Sequence, residues 1–73
     1  MNPGQRVAVT VRDRRRFLRL TQRDLSELSG VTLRGITILE SGRGNPTLSQ
    51  LSRVAEVLGL QVSLTGRLTD EQV

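Results

Sequence analysis

Thr21-Gln-Arg-Asp-Leu-Ser-Glu-Leu-Ser-Gly30-Val-Thr-Leu-Arg-Gly-Ile-Thr-Ile-Leu-Glu40-Ser-Gly42 holds two capped helical segments with one glycine between them. Thr21 stands at an N-cap position, and Asp24 three residues on is its box-like partner, so a helix is expected from about Gln22. Gly30 closes that helix where a left-handed residue is needed and a Cβ is unwelcome. Thr32 then caps a second helix running from Leu33 to about Glu40, which Gly42 and Gly44 break. Leu25, Leu28, Val31, Ile36 and Leu39 are the apolar positions expected to clamp the two helices together. Helices set steeply across a short glycine turn form a unit whose second helix can enter a DNA major groove.

Upstream, Arg12 to Arg19 contains no turn residue and reads as helical surface. Val7 to Val11 alternates like a strand, yet Val7, Val11 and Leu18 fit one helical stripe, and a helix through about Leu18 is the preferred reading. Residues 1–6 are expected to be a flexible N-terminus, although Asn2-Pro3 has the form of an N-cap followed by a first-turn proline. Downstream, Asn45-Pro46 turns the chain and Thr47 to Gln50 forms a capping box. The helix after it has an apolar stripe of Leu48, Leu51, Val54, Ala55 and Leu58, and ends at Gly59. Leu60-Gln-Val-Ser-Leu64 alternates with a period of two, as a strand does, and residues 66–73 read as a polar tail. The expected architecture is mainly α, one domain over residues 7–65 with a short C-terminal strand at 60–65.

At 73 residues the chain is a single small domain. Chains near this size bury only about 60% of the surface they expose when unfolded, so the core is marginal. There is no cysteine to staple it, which leaves dimerisation as the remaining source of stability. Phe17 is the only aromatic residue, which argues against base-stacking platforms for single strands or RNA. The absence of His, Cys and any phosphate-cradling glycine motif removes the usual parts of catalysis, so no enzyme, metal or cofactor is expected.

The net charge is +4, and all eleven basic residues are arginine. Residues 1–43 carry nine arginines against four acids, whereas residues 44–73 carry two against three. A basic first half and a near-neutral second half suit a nucleic-acid face backed by a protein face, and a basic surface serving solubility is the plainer alternative. No apolar run approaches membrane-spanning length and no signal peptide is visible, so the expected location is the cytoplasm, on the nucleoid, with no membrane partner.

Thr21-Gln22, Gly30-Val31, Ile36, Leu39-Glu40, Gly42 and Asn45-Pro-Thr-Leu48 together resemble the Cro/repressor-type (XRE) helix-turn-helix family, over about Val7 to Leu60. The resemblance implies a lambda-repressor-like helical domain, two copies of which bind a roughly palindromic double-stranded DNA operator. Leu58-Gly-Leu-Gln-Val-Ser-Leu-Thr65 is further similar to the ending of HipB-like antitoxins, in which such a strand pairs with its counterpart to close a homodimer. That likeness implies a toxin partner, kinase-like and HipA-type. Two positions depart from the family. Arg19 stands where glycine is usual; if the site is left-handed the substitution costs up to about 1–2 kcal/mol, and the turn is expected to differ. Arg14 occupies a normally apolar position, so the first helix is expected to sit slightly rotated, with Leu18 or Phe17 compensating.

Gln22 and Arg23, opening a helix, are placed to meet a phosphate, and the resemblance implies that role for Gln22; a plain surface role is the rival. Leu33, Arg34, Thr37 and Ile38 are left outside once Ile36 and Leu39 face the core, at positions where the family reads bases. Arg34 can reach guanine O6 and N7, and Leu33 and Ile38 can lie against thymine methyls. The alternatives are a phosphate contact for Arg34 and packing against the last helix for Ile38. Thr32, Arg43 and Asn45 are further phosphate candidates. The resemblance makes Arg15 and Glu40 a structural ion pair, and Leu60, Val62 and Leu64 the dimerisation residues; folding back onto the domain and docking a toxin are the other uses of that strand. Arg12, Arg16 and Arg19 share a helical face, and solvation, a DNA field and an acidic partner protein all stay open for them. The leading expectation is a dimeric, sequence-specific transcriptional repressor, and within it an antitoxin that represses its own operon. A stand-alone prophage or host regulator and a protein-only interaction module are the rivals.

Overall fold

The computed structural model describes residues 1–63, which form four helices: α1 (Pro3–Phe17), α2 (Gln22–Ser29), α3 (Leu33–Ser41) and α4 (Leu48–Leu58). The N-terminus corrects the expectation of a flexible stretch over residues 1–6, because α1 begins at Pro3. The Asn2 side chain accepts from the Gln5 N–H at 2.8 Å, and the Gln5 side chain accepts from the Asn2 N–H at 2.9 Å. This capping box, with proline at the first helical position, satisfies amides that would otherwise fray the first turn. The same turn packs against the end of α3, where a Cβ on Gly42 would come within 3.3 Å of Gln5. Helical spacing puts Ala8, Val11 and Arg15 on the buried side of α1, which resolves Val7 to Val11 as helix.

The three remaining N-caps are the threonines read from the sequence. Thr21, Thr32 and Thr47 accept from the backbone N–H groups of Asp24, Gly35 and Gln50. Gly30 and Gly59 end their helices in the left-handed conformation, at φ +77° and +69°. The end of α1 does not differ as expected. Leu20 N–H bonds to Arg15 C=O and Arg19 N–H to Arg16 C=O, both at 3.0 Å, with Arg19 at φ +60°. This is the two-bond left-handed helix ending usually built on glycine, kept here with an arginine.

Val11, Leu25, Val31, Ile36, Leu39, Val54 and Leu58 form the core, and Val7, Leu20, Leu51, Val57 and Leu60 pack at its margin. Two expected core leucines lie outside it: Leu28 is 63% exposed and Leu48 is 68% exposed. Leu48 is the first residue of α4, a turn ahead of the point where that helix meets the core, and Leu28 lies off the line of Leu25 on a helix only two turns long. Leu60 to Ser63 carry no strand in the single chain. A strand needs an edge to pair with, and none is offered among the described residues. Leu64, Thr65 and the expected tail at residues 66–73 lie outside the described residues.

Candidate nucleic-acid interface

The orientation of α3 is set from behind. Ile36 and Leu39 enter the core, and Glu40 is buried beside Arg15 of α1. Arg15 Nε donates to Glu40 Oε2 at 2.7 Å and Nη2 to Oε1 at 2.9 Å, a two-pronged pair, while Nη1 donates to the Leu20 carbonyl at 2.8 Å. The hydrogen bonds to Glu40 raise the Arg15 pKa above its ordinary value against the opposing effect of burial, so the guanidinium is firmly protonated. Gly35 gives α3 its close seat: a Cβ there would stand 2.9 Å from Val31 Cγ1.

With that side fixed, Leu33, Arg34, Thr37 and Ile38 are left on the open face. Arg34 is exposed and forms no ion pair among the described residues. Ile38 is 40% exposed, and its Cγ2 fills the space a side chain on Gly44 would take. The buried part of Ile38 therefore rests on the loop after α3 through Gly44. Thr37 Oγ1 lies 2.9 Å from the Leu33 carbonyl and 3.4 Å from Gln22 Oε1, so its single proton goes to the nearer acceptor.

Gln22 has a role that sequence reasoning missed. Its Nε2 donates to Glu40 Oε1 at 3.2 Å, joining α2 to the ion pair. The two residues are 18 apart, and nothing in that spacing announces the bond. Arg23 is exposed beside it. In the first turn of α2 the Asp24 N–H is taken by Thr21, whereas the N–H groups of Gln22 and Arg23 have no helical acceptor, as first-turn amides must not. Asp24 accepts in return from the Thr21 N–H at 2.9 Å, and this bond first, then the one with the Thr21 hydroxyl, lowers its pKa below the usual carboxylate range. Thr32, Arg43 and Asn45 are exposed at the two ends of α3, and the side chains of Arg43 and Asn45 have no hydrogen-bond partner among the described residues.

Arg14 corrects the expectation that Leu18 or Phe17 would compensate for it. Its Nε donates to the Leu58 carbonyl at 2.8 Å, where a cation meets the negative end of α4. Phe17 stays 73% exposed with the Arg14 guanidinium 5.2 Å from its ring centre, and Leu18 is 37% exposed. No helix of the described residues is long and apolar enough to cross a membrane.

Comparison with known proteins agrees with this geometry. The family described as helix-turn-helix matches residues 11–64. A protein of Methanothermobacter thermautotrophicus named an uncharacterized HTH-type transcriptional regulator is 45% identical over 49 residues, which span 67% of this chain and 71% of that protein. No solved structure matches the chain.

Proposed function

The chain belongs to the helix-turn-helix family, and from that premise we propose that it is a DNA-binding transcriptional regulator that acts as a homodimeric repressor. The observation that carries this reading is the open face of α3: four outward side chains on a helix held from behind by two core residues and a buried ion pair. A groove reader needs that combination, because side chains can discriminate bases only from a helix of fixed orientation.

In the proposed complex α3 lies in the major groove. Arg34 donates to guanine O6 and N7, Leu33 and Ile38 cover thymine methyls, and the Thr37 oxygen, its proton given to the Leu33 carbonyl, accepts from a base amino group. Gln22 and Arg23 offer backbone N–H groups and the Arg23 charge to one phosphate, while Thr32, Arg43 and Asn45 hold the backbone on either side of α3. The Gln22 amide, already bonded to Glu40, links this phosphate grip to the helix that reads bases.

In this reading Leu60, Val62 and Leu64 form the dimer seam. Val62 lines an apolar groove between α1 and α4 together with Val7, Leu51 and Leu60, so a second copy paired along this segment would cover exposed apolar surface and satisfy open backbone groups. Two α3 helices about 34 Å apart then meet successive major grooves. Bound over a promoter on the nucleoid, such a dimer blocks transcription. The finer reading, an antitoxin that represses its own operon and binds a kinase-like toxin, rests on the likeness of Leu58 to Thr65 to HipB-like endings. Co-purification of the product of a neighbouring toxin-like gene tests it.

The test of the main reading is affinity against salt for a duplex carrying the chain's own upstream region. Neutralising about six phosphates per dimer gives a slope of log K on log salt near −5. A slope near zero refutes the phosphate grip and the reading built on it.

A further inference from the structure

Four residues among those described have a positive φ between +60° and +77°: Gly30, Gly42, Gly59 and Arg19. The three glycines have no Cβ to strain, but an arginine in this conformation sets its Cβ against its own carbonyl. Backbone bonds of the turn hold Arg19 in that conformation, but its side chain adds no bond of its own. That side chain is exposed and makes no ion pair or side-chain hydrogen bond among the described residues. Asp24, the next acid along the chain, is engaged as the cap partner of Thr21.

The position of Arg19 is more telling. Arg15, buried against the back of α3 and bonded to the Leu20 carbonyl, marks the side of α1 that is tied to α3 and, through Gln22 and Glu40, to the start of α2. Arg12 and Arg16 flank that side at helical spacing, and Arg12 shares a recess with Glu40 and Ser41 at the end of α3. Arg19 continues this row of charge to the start of α2, two residues before Thr21 and four before Arg23.

We propose that Arg19 is a phosphate-gripping residue that extends the DNA contact beyond the helix-turn-helix proper, along the backbone next to α2, at the expense of fold stability. The proposal rests on the DNA-binding reading above. It identifies the ligand atom class as the non-bridging oxygens of a duplex phosphate, so the contact adds affinity without adding sequence preference.

The test compares the full-length wild type with Arg19→Gly, Arg19→Gln and Arg19→Lys, in thermal melts and in anisotropy titrations against a mixed-sequence duplex of about 30 base pairs, three helical turns. Each phosphate contact contributes about −0.9 to the slope of log K on log salt, which is about an eightfold change in affinity between about 1 M and about 0.1 M salt. Arg19→Gly and Arg19→Gln are expected to flatten the slope by about 0.9 per bound subunit, and Arg19→Lys to retain it. Arg19→Gly should also melt about 4 °C above wild type, a gain Arg19→Gln does not share, since glutamine keeps the strained Cβ. A steep wild-type slope that Arg19→Gly and Arg19→Gln leave unchanged overturns the assignment while the DNA-binding reading stands. A wild type with no salt-dependent binding overturns both.

Discussion

Glu40→Ala is the sharpest probe of how α3 is held. Glu40 accepts two bonds from Arg15, at 2.7 and 2.9 Å, and one from Gln22 at 3.2 Å. Removing the carboxylate leaves the Arg15 guanidinium buried with the Leu20 carbonyl as its remaining acceptor. At about 1.5–3 kcal/mol for each charge-assisted bond, losing the two prongs costs about 3–6 kcal/mol, in line with the 3–5 kcal/mol for breaking one side of a buried pair. A domain of this length has about 4–11 kcal/mol in all, so the variant gives up about a quarter of its stability or more and melts about 15–30 °C lower. Replacing both partners with apolar residues, as in Arg15→Met with Glu40→Leu, leaves no stranded charge and should return to within about 1 kcal/mol of wild type. The assay is urea denaturation followed by circular dichroism, at one fixed protein concentration because dimerisation would add to apparent stability. A Glu40→Ala loss below about 1 kcal/mol, or a double variant as unstable as the two single losses added, refutes the account of a desolvated, mutually dependent pair.

Three further outcomes are expected. Arg34→Ala should cost about 1–3 kcal/mol at one G·C pair in each half-site and relax preference there, whereas Arg43→Ala should weaken all duplexes alike; identical profiles across a panel of operator variants contradict the division into base reader and phosphate clamp. Val62→Glu with Leu64→Glu should yield a monomer with much weaker operator binding, and a variant that still sediments as a dimer removes the C-terminal segment as the seam. Asp24 has a lowered pKa in the folded state, so its contribution is present above the unfolded carboxylate value of about 4 and is lost as pH falls through the folded value. Melting curves taken down through that window should fall more for wild type than for Asp24→Asn, and parallel curves would show that the cap carboxylate contributes nothing.

What the sequence determined by itself is what depends on a few adjacent residues. Thr21 with Asp24, Thr32, and Thr47 with Gln50 cap their helices through bonds that span three positions, and Gly30 and Gly59 end theirs through backbone freedom at a single residue. Such signals hold whatever surrounds them, so α2, α3, α4 and the open face of α3 were legible, and α1 was legible as a helix in all but its start. The Asn2-Pro3 cap was equally local, but a flexible end was preferred to it because the apolar pattern starts only at Val7, and the Gln5 half of its box went unread. Tertiary structure decided the rest. Leu25 and Leu28 are the same residue type on one short helix, and only the placement of the other helices buries the first and exposes the second. Arg14 reads as a misfit in an apolar position until the Leu58 carbonyl, 44 residues away, arrives to accept its proton. Gln22 reads as a phosphate-contacting residue at the start of α2, and its tie to the ion pair shows only once Glu40 comes within 3.2 Å. In each case the partner is brought by packing between helices distant in sequence, and a hydrogen bond or buried contact has no signature until both halves are in place.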